Sequence, residues 1–230
     1  GIDKLYRAVK ADGHKVSKQQ VETWLSERLT YQLHKPVKKR FIRKSVIVSG
    51  PNLMWDVDLL DLKEHVKYNF RNRYILTVVD IFSRKAYGEA LTNKTAATTA
   101  KAFQKIIENE QPESVRTDHG NEFKREFNKI LKENKINHIL TSSPEIKANY
   151  VERFHRTFRD KLTKYMTYYN ERNWTKIYKL LIDNYNNTPH RSIKNIAPNA
   201  VNENNIGELL QYMLQGVKYK DERDVFKLGD

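Results

Sequence analysis

The sequence predicts an α/β fold in which a mixed five-stranded sheet is flanked by helices and preceded by a small helical region. Three strand-like apolar segments follow one another directly between residues 54 and 91. Two further short segments of this kind, 114–118 and 136–140, each follow an amphipathic helical segment. Consecutive strands followed by helical crossovers give a mixed sheet with helices on both faces.

The composition favours a polyanionic partner. The 230 residues include 42 Lys and Arg against 28 Asp and Glu, for a net charge of +14. A basic surface attracts phosphates, so we expect nucleic acid as the partner. No apolar run is long enough to span a bilayer, so we expect no membrane partner. The chain has no cysteine, which excludes disulfides and cysteine-ligated zinc.

Residues 1–34 predict two short helices. Apolar residues recur at helical spacing over 2–9 and again over 21–29, with Gly13 as a helix C-cap and Ser17 as the next N-cap. Such a pair is compatible with a helix-turn-helix DNA reader and equally with a plain helical hairpin packed on its neighbour.

Residues 35–50 predict a basic linker, because Pro36 and the lack of a period argue against a helix. A charge run is by default a solvated segment. The net charge favours a phosphate-tracking arm or a nuclear-import signal here. The candidate DNA-binding residues are Lys38, Lys39, Arg40, Arg43 and Lys44.

A larger domain begins near Leu53. Its first strand, 54–62, has apolar residues on both faces, as a central strand requires. Asp56 and Asp58 share one face of this strand and Asp61 lies on the other. A carboxylate buried in a central strand is costly without a partner or a metal.

The remaining elements follow in order. Strand 73–82 ends near Asp80, which we expect to bond the turn at Ser83. The further predicted elements are a strand over 85–91, a helix over 95–108, a strand over 114–118, a helix over 122–133, a strand over 136–140, a polar loop over 141–149 and helices over 150–169, 174–186 and 206–214.

The stretch 117–123 places Asp118 at the carboxyl end of a strand, followed by Gly120 in a tight turn. Catalytic groups of open α/β sheets occupy this position. Taken alone, Asp118 could equally be a turn or N-cap residue. The presence of two further acidic residues, Asp58 upstream and Glu152 downstream, favours a catalytic role.

Three motifs resemble those of the retroviral integrase catalytic core: Trp55 to Asp58, Thr117 to Phe123 and Tyr150 to Phe158. The segment 185–192 and Ala197-Pro198 resemble the part that follows this core. The likeness is greatest to integrases of Maverick/Polinton-type DNA transposons and virophages. It implies an RNase H-like fold and a polynucleotidyl transferase that processes and joins 3′ DNA ends.

The resemblance implies that Asp58, Asp118 and Glu152 are the catalytic residues and hold two Mg²⁺ or Mn²⁺ ions, with Asp58 bridging both. Carboxylates fit this task because hard cations prefer oxygen ligands. Asp56 is a rival for Asp58, and the position of Trp55 in the motif favours Asp58. The gap between Asp118 and Glu152, 33 residues, is slightly shorter than in retroviruses.

The resemblance also implies contacts with DNA. Arg156 and Arg159 lie at i+4 and i+7 from Glu152, on its face of the helix. They would contact the DNA end, with Lys147 and Asn149 as further candidates, whereas Asn121 matches a position that touches target DNA. The alternative for the two arginines is ordinary ion pairing with Glu152.

The expected organisation is a hairpin or helix-turn-helix-like region over 1–34, a linker over 35–50, the RNase H-like core over 51–201, and a C-terminal helix with the start of a truncated SH3-like domain over 202–230. Double-stranded DNA and further copies of the chain are the expected partners, in the nucleus. The alternatives are a DNA-binding assembly protein with an inactive core and an RNase H-like nuclease.

Overall fold

The computed structural model describes residues 2–28, 46–141 and 149–215. The chain divides into two compact units, Gly1–Ile42 and Arg43–Asp230. The candidate DNA-binding residues of the linker, Lys147 and the SH3-like segment lie outside the described residues, and the side chain of Asn149 is not described either. Within the described ranges, no helix is long and apolar enough to cross a membrane.

The first unit contains the two predicted helices, α1 (Ile2–Ala11) and α2 (Lys18–Ser26). Gly13 adopts φ +86°, the left-handed conformation expected at a C-cap. Ser17 and Gln20 form a capping box, in which each side chain bonds the other residue's backbone N–H. Whether this hairpin reads DNA stays a prediction.

The second unit is built on a five-stranded mixed sheet. Its strands are β1 (Met54–Asp61), β2 (Tyr74–Asp80), β3 (Ala86–Leu91), β4 (Ser114–Thr117) and β5 (Asn137–Leu140). Their spatial order is β3-β2-β1-β4-β5. The first three strands are antiparallel neighbours, whereas β4 and β5 add in parallel beside β1. The predicted mixed sheet is confirmed, and β1 lies at its centre.

Helices cover both faces of this sheet. They are α3 (Ala96–Ile107), α4 (Glu126–Glu133), α5 (Asn149–Tyr169), α6 (Tyr178–Asn186) and α7 (Glu203–Gln215). One apolar cluster joins the sheet to α3 and α4 and includes Phe103 and Phe127. A second joins it to α5 and α6 and includes Phe154 and Trp174. A third, smaller cluster packs α7 against Phe82.

Two predicted helices are interrupted at their first turn. The helix predicted over 122–133 begins as a short 3₁₀ turn, Asn121–Phe123, and α4 starts only after Arg125, whose φ is +45°. The break leaves the rings of Phe123 and Phe127 packed edge to face, with centroids 5.3 Å apart. The helix predicted over 174–186 likewise opens with a 3₁₀ turn, Trp174–Lys176.

The predicted role of Asp80 is confirmed. Its Oδ2 accepts bonds from the backbone N–H of Ser83 at 2.8 Å and from the Ser83 hydroxyl at 2.5 Å. Its other oxygen accepts from the N–H of Asn52 at 3.1 Å. This buried carboxylate therefore fixes the turn between β2 and β3.

Candidate active site

The candidate site lies where β1 and β4 run side by side in parallel. Their register pairs Met54 with Ser114 and Asp56 with Arg116. Asp58 comes two residues after Asp56, and Asp118 follows the last residue of β4. Parallel strands point their carboxyl ends toward one edge of a sheet, which is where open α/β sheets bind ligands.

Asp58 is a partly exposed carboxyl with a raised pKa. Its side chain is 36% exposed, and its Oδ1 accepts the N–H of Leu59 at 2.7 Å. Burial, together with the negative charges of Asp118, Glu152 and Glu122, raises the pKa of Asp58 to about 6. These carboxyl groups are therefore close enough to repel one another.

Asp118 is held by the turn that follows it. The backbone N–H of Gly120 donates to Asp118 Oδ1 at 2.9 Å. A Cβ atom at Gly120 would lie 2.7 Å from Glu122 Cδ and 2.9 Å from Asp118 Oδ1. A side chain at Gly120 would therefore displace these two carboxylates, whereas the φ of −52° needs no glycine.

Glu152 is exposed in the first turn of α5. Among the described residues, no ion pair joins Glu152 to Arg156 or Arg159, and the roles of these arginines stay predictions. Arg159 instead donates from Nη2 to the backbone carbonyl of Asp61 at 2.7 Å. Arg156 is exposed on the same helix.

Asp56, the rival of Asp58, is completely buried. Its two oxygens accept from Arg116 Nε at 2.6 Å and from Arg116 Nη2 at 2.8 Å. The N–H of Tyr150, at the start of α5, donates to the same carboxylate at 3.3 Å. Burial raises the pKa of Asp56 against these partners. With its oxygens already engaged, Asp56 leaves Asp58 as the accessible carboxylate of the pair.

Sequence reasoning missed two neighbours of Asp58. His155 Nε2 lies 2.6 Å from the Thr77 hydroxyl, which donates to the backbone carbonyl of Asp58 at 2.9 Å. This pattern assigns the ring proton to Nε2. His155 Nδ1 lies 3.8 Å from Asp58 Oδ2. The i+3 spacing from Glu152 was the available signal for His155.

The approach of His155 to Asp58 is not an ion pair. Burial, together with the charge of Arg159, lowers the pKa of His155 to about 4, so its imidazole is neutral at pH 7. The site therefore carries several carboxylates with no histidine cation between them.

The donor set fits a hard divalent cation. Carboxylate oxygens suit Mg²⁺, and their mutual repulsion at Asp58 would be relieved by a positive charge. Among the described residues, however, no three His, Asp or Glu side chains are arranged closely enough to hold a metal ion as they stand. The convergence of Asp58, Asp118 and Glu152 on one metal position stays a prediction.

Of the predicted DNA contacts, the side chains of Asn121, Arg156 and Arg159 are described, and all three are exposed. Asn121 lies in the 3₁₀ turn after Asp118, and its Oδ1 accepts from Lys124 Nζ at 2.9 Å. Arg156 and Arg159 lie on α5, downstream of Glu152. The exposed polar side chains of α5 and of the 121–123 turn thus flank the carboxylates, and their contacts with DNA stay predictions.

Part of the second unit is similar to known proteins. Residues 48–144 match the family model described as the integrase core domain. A transposon-derived protein of Caenorhabditis elegans is 28% identical over 134 residues, which is 57% of this chain and 47% of that protein. The chain therefore spans about half the length of this curated relative.

Solved structures share the fold. The HTLV-2 integrase catalytic core domain, in a complex with magnesium, superposes with a TM-score of 0.54 at 20% identity over 66% of this chain and 97% of that one. The core domain of BIV integrase gives 0.52 at 18% identity, over 64% and 91%. A chain of the simian T-cell lymphotropic virus intasome gives 0.57 at 16% identity, over 81% and 68%. The mixed sheet with flanking helices is the RNase H-like fold of these cores.

Proposed function

We propose that this chain, whose residues 48–144 match the integrase core domain model, is a metal-dependent polynucleotidyl transferase that processes and joins the 3′ DNA ends of a mobile element to target DNA. The observation that carries the proposal is the accessible carboxylate of Asp58, which feels the charges of Asp118 and Glu152 at one edge of the sheet. Nuclear localisation belongs to the proposal, since the reaction needs access to chromosomal DNA.

Asp58, Asp118 and Glu152 would hold two Mg²⁺ or Mn²⁺ ions. When bound, such a pair of ions stabilises the attacking and the leaving oxygen of an in-line phosphodiester exchange. The chain orients these carboxylates through the N–H of Leu59 on Asp58 and the N–H of Gly120 on Asp118. Hydrogen bonds of this kind hold ligands in place before substrate arrives.

The exposed polar side chains near the carboxylates would position the DNA. Arg156 is an exposed residue of α5, one turn after Glu152, which suits a phosphate contact beside the reacting bond. Arg159, bound to the Asp61 carbonyl, would reach a phosphate with its remaining donors. Asn121 lies on the Asp118 side of the site and is our candidate for the target strand. Lys147 and Asn149 complete the proposed DNA-end contacts.

The direct test is incubation of the chain with short duplexes that carry the terminus of its own element, in Mg²⁺ or Mn²⁺. We expect shortened 3′ ends and longer joined products on a sequencing gel. DNA binding with no cleavage would support the assembly-protein alternative. Cleavage confined to the RNA strand of a hybrid duplex would support the nuclease alternative, and either result would refute the proposal.

The linker residues should dominate the salt dependence of DNA binding. Neutralising all five candidates to Gln should flatten the slope of log affinity against log salt by just under one unit for each phosphate contact that is lost. The five are Lys38, Lys39, Arg40, Arg43 and Lys44. Fluorescence anisotropy titrations at a series of salt concentrations measure this slope.

A matched control removes the same net charge from two helices of the second unit, α3 and α4, and the turn that follows α4. Its five substitutions to Gln are at exposed lysines: Lys101, Lys105, Lys129, Lys132 and Lys135. The control should change the slope much less than the linker variant. Equal slopes in both variants would show that the linker is merely a solvated charge run.

We also propose that the chain forms at least a dimer through the helical side of the core. The segment 165–185 is rich in aromatic residues, which are candidates for such a surface. Of these, Trp174, Tyr178 and Tyr185 are buried in the core and Tyr165 is half-buried. Tyr168 and Tyr169 are 81% and 61% exposed at the end of α5. They lie about 25 Å along the helix from Glu152, at a rise of 1.5 Å per residue.

Replacing Tyr168 and Tyr169 together by Ser should shift the chain toward monomer, because aromatic residues concentrate at interface centres. Sedimentation velocity at micromolar concentration, with and without terminus duplex, measures the effect. Tyr212→Ser on α7 is the matched control, since this tyrosine is also partly exposed. A wild-type chain that stays monomeric in both conditions would refute the dimer.

A further inference from the structure

The residues two positions before the three proposed metal ligands contact one another. The residue two positions before Asp58 is Asp56, the one two positions before Asp118 is Arg116, and the one two positions before Glu152 is Tyr150. These three upstream residues meet in a single buried contact, centred on the carboxylate of Asp56.

This contact lies where it can fix the register of β1 against β4. Asp56 and Arg116 are direct neighbours across the parallel ladder of β1 and β4. Residues two apart along a strand share a face, so the direction set at Asp56 and Arg116 carries on to Asp58 and Asp118. A slip of one residue would turn both catalytic candidates to the opposite face.

The third arm of the contact anchors the helix. Tyr150 is the second residue of α5, and its N–H is one of the first four that a helix leaves without an internal partner. Asp56 accepts that N–H, and the Tyr150 ring lies 4.1 Å from the Arg84 guanidinium. The Tyr150 hydroxyl donates to the Val46 carbonyl at 2.8 Å. The helix start that carries Glu152 is thereby tied to β1.

Stability alone is a poor reason for such a contact. Asp56 is fully buried and Arg116 is 2% exposed. Among the described residues, Arg116 Nη1 is buried without a hydrogen-bond partner. Apolar residues of similar volume commonly replace a buried ion pair with no loss of stability, because both charges must be desolvated.

We propose that Asp56, Arg116 and Tyr150 form a positioning device that sets the separation of Asp58, Asp118 and Glu152 and so tunes metal affinity. The inference rests on the proposed function for the identity of the metal ligands. None of the three residues need touch metal or DNA. Partners that hold ligands in place in this way change metal affinity by roughly 10–100-fold when they are lost.

The test compares metal binding by the full chain and by the double variant Asp56→Leu with Arg116→Met, which removes both charges and leaves neither unpaired. Isothermal calorimetry with Mn²⁺ alone measures affinity, and circular dichroism confirms the fold. We expect a normal fold, metal affinity weakened by roughly tenfold or more, and slower DNA joining. The conservative Arg116→Lys, which keeps the charge and loses the two-point contact, should give an intermediate affinity.

Asp80→Asn is the matched control. Asp80 is also a buried carboxylate with three hydrogen bonds. It lies on β2 opposite Trp55, and its bonds go to Ser83 and Asn52 and not to β4 or the start of α5, so its loss should leave metal affinity unchanged. A folded double variant with wild-type affinity would overturn the inference. Metal binding by the wild type without DNA joining would refute the proposed function alone, and no metal binding at all would refute both.

Discussion

Replacing Asp58, Asp118 or Glu152 by its amide should lower the rate of DNA strand transfer by roughly a thousandfold or more, because each loss removes a charged oxygen ligand from a two-metal site. The fold should survive, since Asp58 is partly exposed and both Asp118 and Glu152 are exposed. Gel assays of joined products measure the rate, and circular dichroism checks the fold.

Two neighbouring carboxylates supply the controls. Asp61→Asn, at the end of β1, removes a half-exposed carboxylate that pairs with Lys63 at 2.9 Å and should leave activity nearly unchanged. Glu122→Gln removes a negative charge that acts on the Asp58 carboxyl. Glu122 is not one of the proposed metal ligands. If Glu122→Gln abolished transfer while one of the three amide variants remained active, the assignment of the ligands would be wrong.

Much of this fold follows from local sequence. The apolar runs of β1 and β2 are continuous because both faces of a central strand are covered, and this pattern predicts buried strands directly. Ser17 and Thr95 mark helix starts as N-caps, with side chains that accept the N–H three residues on. The cost of burying Asp56 in such a strand predicted that a partner or a metal is present.

The identity of the residue that pairs with Asp56 could not be predicted from the neighbouring sequence. Arg116 is 60 residues from Asp56, and only the parallel register of β1 and β4 brings the two together. The break at Arg125 is similar, because the helical spacing of Phe123 and Phe127 hides a residue with φ of +45° between them. The sequence identified Gly120 as a turn residue. It did not show that the Asp118 and Glu122 side chains occupy the space that a Cβ atom there would take.

The buried pair also predicts a large, non-additive effect on stability. Arg116→Met alone leaves the Asp56 carboxylate fully buried without its guanidinium, which should destabilise the chain by about 3–5 kcal/mol. Asp56→Leu alone leaves the Arg116 guanidinium buried without its carboxylate, which should lower the free energy of unfolding by a similar amount. Urea unfolding at pH 7, followed by circular dichroism, measures the free energy of unfolding of each variant.

The double variant should recover most of what either single variant loses, because no uncompensated charge remains in the core. Its free energy of unfolding should therefore exceed that of both single variants, although it contains both substitutions. Losses that simply add would contradict this, since residues in one contact are coupled and distant ones are not. Recovery of stability without recovery of metal affinity would separate the two roles of the pair. The main role of Asp56 and Arg116 would then be to position Asp58, Asp118 and Glu152. Their net contribution to the free energy of folding would be small.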